Sequence, residues 1–277
     1  MDGLYLYCVR ETTEEPSAFR TGGIEGKKGV FTVVNGDMEA VVSRVSLAKF
    51  ASAEIRKKAL EDIDWLVEKA VIHEHVIEEA MRGIDGPAQV IPMRFGIIFH
   101  NKAGLKETLD RNRTKMSGLL HKIQGKQEWN VKIYLMDEER FEATVKETNE
   151  EIRSKEREIA SMPEGMAYFM EEGLKATVRH EVHKELDAAL EKLFGKLSEE
   201  VAESARTKVL GREMTGKAER MVLNAAFLVH ADRLDTFKKI IDFTAGELHT
   251  KGLHLEYSGP WPPFNFTDSY EPLEKAC

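Results

Sequence analysis

Apolar residues recur at 55, 59, 63, 66, 70, 77 and 80 between Glu54 and Met81. They recur again at 166, 170, 174, 178, 182, 186, 190, 193, 197 and 201 between Met166 and Leu210. Steps of three and four place each set along one side of a long helix. Such a stripe must cover something, and the rest of the chain supplies flat surface to cover. "LYLYCV" (Leu4–Val9), "WNVKIYLM" (Trp129–Met136), "ERMVLNAAFLVH" and "GLHLEYSG" have the composition of strands. In "VFTVVNGDMEAVVSRV" two β-branched runs flank Asn35-Gly36. That pair predicts a hairpin over residues 30–45, because a type I′ turn needs positive φ at both central positions. Long helices with separate short strands define an α+β chain.

"RETTEEPSAFRTGGIEGKKG" is a long loop, and Gly83-Ile84-Asp85-Gly86-Pro87 ends the first helical stripe. "QVIPMRFGIIF" is extended, and Pro92 places it at a sheet edge or bulge. Residues 102–121 are predicted helical. Residues 137–160 are densely charged and helix-prone, and Pro163 and Gly165 break them. From Trp129 onward the order is strand, helices, strand, helix, strand. A ferredoxin-like βαββαβ unit has that order with one strand more, here missing or borrowed.

The 277 residues carry a net charge of −8, with 42% hydrophobic and 32% charged residues. An acidic chain of this kind is not expected to bind nucleic acid, which requires a basic face to displace counterions. The short clusters Arg56-Lys57-Lys58 and Lys27-Lys28 are diluted by nearby acids. Two cysteines, Cys8 and Cys277, give neither a disulfide framework nor zinc spacing, as suits a reducing interior. The start lacks the pattern of a signal peptide and no apolar run reaches membrane-span length, so the expected location is cytoplasmic.

Several motifs invite chemistry and fail on inspection. "GREMTGKA" (Gly211–Ala218) resembles a phosphate-binding loop, but Ala218 stands where a hydroxyl must hold magnesium. Its expected context, helix before and strand after, is also inverted. "TGGIEGKK" is one residue short. In "HEHVIEE", His73 and His75 are two apart on a helix and face different directions. His73 continues the apolar stripe and is expected to be a satisfied core or interface histidine, while His75 can pair with Glu78 or Glu79 on the surface. His180 and His183 lie one turn apart without a third ligand in view. Cys8 has no neighbouring histidine in sequence, and no G-x-S-x-G elbow exists. No catalytic residue, cofactor or metal is expected.

Two stretches remain. Arg94 in "PMRFG" is either an edge charge or a buried pairing residue. The ending "YSGPWPPFNF" (Tyr257–Phe266) holds four aromatics and three prolines in ten residues. Proline fixes φ, which predicts an extended segment able to lay Trp261, Phe264 and Phe266 across a groove.

Taken together, "LYLYCV", "HEHVIEEAM" followed by "VIPMRFGIIF", "EWNVKIYL" and "LEYSGPWPPFNF" resemble the gas vesicle accessory proteins of the F/L type, in order and spacing over nearly the whole chain. Two departures are Met93 and Ile97, where P-V-R-F-G-T is usual, and Phe264, where tyrosine is common. The resemblance implies an α+β protein of two domains. Residues 1–124 would form an N-terminal α+β domain with the hairpin. Residues 125–277 would form a modified ferredoxin-like domain with long helices, a helical extension and the Pro/aromatic tail. It also implies a non-enzymatic accessory or minor structural protein of the gas vesicle that helps assemble or nucleate the shell. Its partners would be the major shell protein and other accessory proteins. The family motifs mark Pro92, Arg94, Phe95, Gly96, Tyr257, Gly259, Pro260, Trp261, Pro262, Pro263, Phe264 and Phe266 as residues of interest. These either clamp the two domains from within or face the shell protein. The competing expectation is a ferredoxin-like ligand-sensing or regulatory protein, since that fold hosts many functions.

Overall fold

The computed structural model describes residues 2–13, 18–26, 29–50, 58, 61–82 and 88–267. It is a mixed α/β chain of two compact units, each with its own sheet. The first unit comprises Met1–Glu128 together with Pro260–Cys277, and the second Trp129–Gly259. Division thus falls after Glu128 rather than after residue 124. The segment from Pro260, expected in the C-terminal domain, groups with the first unit.

The first unit contains β1 (Asp2–Glu11), β2 (Val30–Asn35), β3 (Met38–Ser46), α1 (Leu47–Phe50), α2 (Ile63–Arg82), β4 (Val90–Pro92), β5 (Ile98–Phe99) and α3 (Lys102–Ile123). Its strands run in the order β2-β3-β1-β4, with β5 also paired to β1. Residues 90–99 therefore run along the free edge of β1 in two pieces. Pro92 ends the first piece opposite Cys8, at an edge position where a missing N–H does least harm. Leu4 to Val9 are all buried, so both faces of β1 are covered. One face joins Val41, Val45 and the α2 residues Val76, Ile77 and Ala80 in a single cluster. On the other side α3 supplies Leu105, Leu109 and Met116 and touches β1, β2, β4 and β5. The β1–β3 register shifts between Leu6 and Cys8, leaving Tyr7 as the extra residue of a bulge. A bulge lets consecutive side chains share a face, and Tyr7 and Cys8 both enter the α2-side cluster.

The hairpin forms, but its turn sits one residue later than predicted. Asn35 pairs with Met38, so Gly36 and Asp37 are the central residues. Gly36 has φ 70° and among the described residues, Asp37 included, no non-glycine residue has positive φ, the sign pattern of a II′ turn rather than I′. The Asn35 side chain is spent elsewhere, donating to Asp110 Oδ1 on α3 at 2.8 Å. Of the first helical stripe, the part before Ile63 and the Gly83–Pro87 terminator lie largely outside the described residues. So do Arg56, Lys57, Lys27, Lys28 and Cys277.

The second unit contains most of β6 (Lys126–Leu135), then α4 (Glu138–Thr148), α5 (Glu150–Ala160), α6 (Glu164–Ser198), β7 (Glu203–Arg206), α7 (Arg212–Thr215), β8 (Arg220–His230), α8 (Leu234–Thr250) and most of β9 (Leu253–Trp261). The charged run 137–160 is two helices. Asn149 divides them by accepting from the N–H groups of Glu151 and Ile152, a capping bond that charge density alone conceals. Gly165 does not break a helix but lies in the first turn of α6, which Pro163 opens. The sheet runs β7-β8-β6-β9. Trp129, Val131, Ile133 and Leu135 of β6 meet the α6 stripe at Val178, Val182, Leu186, Leu190, Leu193 and Leu197. That stripe matches the predicted one through its middle and differs at both ends. Met166 and Met170 are exposed, and α6 stops at Ser198. Beyond it lies β7, a short polar edge strand paired with β8. Its sequence, Glu-Ser-Ala-Arg, has no apolar alternation, so pairing comes from tertiary context. β7 is a strand that the sequence pattern did not announce.

Replacing Gly36 with Val tests the hairpin. A Cβ there would lie 2.9 Å from a guanidinium nitrogen of Arg113, and the positive φ opposes any branched side chain. The expected loss is about 1–2 kcal/mol in urea unfolding. An unchanged midpoint would contradict the turn geometry.

Candidate functional site

Three of the segments that carried the resemblance, "LYLYCV", "HEHVIEEAM" and "VIPMRFGIIF", come together in the first unit. Tyr5 on β1 reaches His73 on α2, with the phenol oxygen 3.0 Å from Nδ1. His73 Nε2 lies 2.9 Å from the Met93 carbonyl. A carbonyl only accepts, so Nε2 carries the proton and Nδ1 accepts from the Tyr5 hydroxyl. The Tyr5 oxygen in turn accepts from the N–H of Gly96 at 3.1 Å. Both sides of the Pro92–Gly96 loop are thereby tied to one buried Tyr–His pair. Gly96 has φ 92°, which lets the chain reverse inside the loop. Burial pulls the His73 imidazole down to about 4 and pushes the Tyr5 phenol far up. His73 is therefore a neutral core histidine, as its place on the apolar stripe predicted.

Around this pair Phe95 packs edge to face and Tyr7 packs at a tilt. Phe95 sits 6.0 Å from Tyr5 and 5.8 Å from His73, and Tyr7 lies 4.9 Å from Tyr5. The Tyr7 hydroxyl accepts from the Ile24 N–H at 2.7 Å and shares a hydrogen bond with Ser43. Arg10, 2% exposed, pairs with Glu39 at 2.7 Å and donates to the Ala80 carbonyl near the end of α2. Cys8 is buried beside them, its thiol pushed up to about 12 and thus protonated. What the arrangement does is hold a loop. Arg94 is exposed at the loop's tip, which is the edge-charge alternative for this residue, and Phe95 is half-buried beneath it.

The tail docks on the same unit. After Pro262 and Pro263, both buried, residues Phe264–Thr267 form one helical turn, α9, packed against β4. The extended shape expected here holds only through Trp261, the last residue of β9; beyond the prolines the chain turns. Phe266 is buried and Phe264 packs on the α2-side cluster. Asn265 gives its backbone N–H and its side-chain amide to the two oxygens of Glu128, at 3.1 and 2.7 Å. Lys122 on α3 donates to the Phe266 carbonyl. Glu128 is 2% exposed. Burial raises its carboxyl to about 7, against the Asn265 bonds, and Glu74 on α2 adds a like charge. Glu74, half-buried, is also raised to about 7.

Of the residues singled out from sequence, Pro92, Phe95, Gly96, Phe264 and Phe266 belong to this arrangement, with Arg94 at its surface. Pro260 is exposed and Trp261 half-buried, both in the first unit. Tyr257 and Gly259 belong to the second unit, where the Tyr257 ring lies 6.1 Å from Trp129. Glu128, Asn265, Tyr5 and Lys122 were not singled out. Glu128 lies among the polar residues that open β6, where nothing sets a buried acid apart. Elsewhere, Gly211–Ala218 is the β7–β8 connection, with α7 closed by Gly216 at φ 66°. A strand, not a helix, precedes it. Among the described residues no three His, Cys, Asp or Glu side chains gather as metal ligands. His183 Nδ1 bonds the Arg179 carbonyl of its own helix. Of the two carboxylates proposed for His75, Glu79 accepts from the N–H groups of Arg20 and Thr21, and Glu78 lies 3.8 Å from the Arg82 guanidinium. No helix of the described residues is long and apolar enough to cross a membrane.

The chain is a two-sheet α/β protein whose buried polar groups fix a surface loop and a docked tail. The family model "Gas vesicle synthesis protein GvpL/GvpF" matches residues 3–268. The chain belongs to that family and has a gas vesicle-related role. It is 26% identical over 262 residues to gas vesicle protein L of Streptomyces sp. (strain CB03234), covering 95% of this chain and 91% of that protein. It is 26% identical over 267 residues to gas vesicle protein F of Haloferax mediterranei, covering 96% and 94%. The crystal structure of GvpF from Anabaena sp. PCC7120 matches its fold with a TM-score of 0.71 at 17% identity, over 96% of this chain and 98% of that one. GvpF from Microcystis aeruginosa matches with a TM-score of 0.63.

The raised Glu128 carboxyl makes the stability of the fold pH-dependent. Its ordinary value is 4.5 and its folded value about 7, so between these the folded chain keeps a proton that the unfolded chain releases. This group's stabilising contribution is full below 4.5 and is lost as pH rises toward 7. Glu128→Gln should flatten that dependence by about 1–3 kcal/mol across the window. His73, with its lowered value, acts in the opposite sense but is common to both proteins and cancels in the difference. Urea unfolding on each side of the window measures this, and parallel wild-type and variant profiles would contradict it.

Proposed function

We propose that this chain is a non-enzymatic accessory or minor structural protein that acts in assembly or nucleation of the gas vesicle by contacting its major shell protein. The observation that carries this reading is that Tyr5 and His73 fix the Pro92–Gly96 loop from below and leave Arg94 exposed on it. Family membership supports the setting. In this reading the buried tail residues Pro262, Pro263 and Phe266 are an intramolecular anchor. Arg94, Phe95 and Trp261 are the partner-facing residues. The protein works in the cytoplasm at the vesicle, without cofactor or metal. We further assign the second unit to the modified ferredoxin-like class. The element order β6–helices–β7–β8–α8–β9 and the strand order β7-β8-β6-β9 support that assignment.

Complementation of a host lacking the protein tests the division of labour. Arg94→Glu should leave unfolding within about 0.5 kcal/mol, as exposed substitutions do, yet reduce vesicle yield and capture of the purified shell protein. Phe266→Ala should instead destabilise the isolated protein by about 3–5 kcal/mol. Normal vesicles and normal shell-protein capture with Arg94→Glu would sink the contact assignment.

A further inference from the structure

Two complementary surfaces of the second unit are left uncovered. The first is the start of α6, where Met166, Tyr168, Phe169 and Met170 are 57, 65, 76 and 44% exposed. Met166, Phe169 and Met170 stand at i, i+3 and i+4, the spacing by which a helix anchors in a groove. Tyr168 stacks edge-on against Phe169 at 5.8 Å. The carboxylates of Glu171 and Glu172 follow at once, with Lys175 pairing with Glu172 at 2.6 Å and Arg179 further along the helix.

The second surface is an open groove of about 920 Å³ bounded by α4, α6 and α8. Phe141, Val145, Leu193, Phe243 and Leu248 contribute its apolar lining. Phe243 is 64% exposed, with the Lys196 ammonium 5.2 Å from its ring. Lys192 and Lys196 stand one turn apart on the α6 wall and Lys251 on the α8 side, against Glu185 and Glu247. The groove thus offers an apolar floor with a net positive rim. The start of α6 offers apolar anchors with a net negative flank.

They cannot meet within one chain. Phe169 and Lys192 lie on the same helix, and 23 residues at 1.5 Å each separate them by about 35 Å. We propose that the groove receives the Met166–Glu172 segment of a second copy of this chain, with Phe169 entering beside Phe243 and the carboxylates facing Lys192 and Lys196. Each copy then carries one plug and one groove. Such a contact closes as a two-fold dimer if each copy's plug fills the other's groove, or runs head to tail into a ring or filament if it does not. This inference rests on the second unit alone and stands or falls apart from the shell-contact reading.

Sedimentation velocity of the full chain provides the test, with two variants confined to exposed positions. Phe169→Asp removes the plug, and the double change Lys192→Glu, Lys196→Glu reverses the groove. Wild type should gain mass with concentration, to a dimer or beyond. Each variant alone should be monomeric where wild type associates, with affinity lower by about tenfold or more, as loss of a central aromatic or a charge pair entails. Mixed in equal amounts, the two variants should form a dimer and nothing larger, since each retains one working surface. Unchanged circular dichroism melts establish that both variants fold. Monomeric wild type into the high micromolar range, association that survives either variant, or a mixture that stays monomeric would each overturn the proposal.

Discussion

A histidine sealed from water can satisfy both nitrogens in few ways, and His73 uses them to join three distant parts of the chain. One nitrogen accepts from Tyr5 and the other donates to the Met93 carbonyl, while Tyr5 also holds Gly96. Leaving any of these groups unpaired in a buried setting costs about 1–3 kcal/mol. The loop between Pro92 and Gly96 therefore has one low-energy path. The aromatic rings around it remove water and strengthen each of these bonds. A neutral imidazole is essential, because a protonated Nδ1 could no longer accept from Tyr5. Burial enforces neutrality by drawing the titration down to about 4.

The tail follows similar logic with a different group. Two prolines deliver Asn265 to Glu128, whose paired oxygens match the paired donors of a backbone N–H and an amide. A carboxyl group buried this deeply is costly when charged. Its two bonds from Asn265 stabilise the charged form, and burial opposes them more strongly. The closeness of Glu74 adds to the cost. The tail thus docks on a carboxyl through which the stability of the fold depends on pH, beside apolar burial of Phe266 that does not titrate.

Periodicity made the central parts of both sheets and of α2 and α6 legible, because repeated apolar spacing reports directly which side of an element is covered. The middle of the α6 stripe, Val178 to Leu197, is the clearest case. What stayed hidden was set by contacts between residues distant in sequence. The hairpin shifted by one residue because Asn35 is drawn to Asp110 on α3. β7 has no strand signature of its own and exists because β8 offers it an edge. His73 could be placed in the core from its position on the stripe, but its partners Tyr5 and Met93 could not, since neither spacing nor composition ties those residues to it. Glu128 and Asn265 stand 137 residues apart, and nothing local links a strand acid to a tail amide.

The two units divide the work of folding between different forces. The second unit is stacked from apolar layers, with β6, β8 and β9 against α4, α6 and α8. Such layers tolerate small shifts and fix position only by volume and fit. The first unit adds directional bonds across long stretches of chain, with separations of 68 for Tyr5–His73, 70 for Arg10–Ala80 and 91 for Tyr5–Gly96. Directional bonds specify geometry at the cost of late formation, since distant residues must first be brought together. A rigid exposed loop and a docked tail need that specificity, and they lie in the unit that has it. A helix end and a groove that meet by shape and charge need less, and they lie in the unit built from layers.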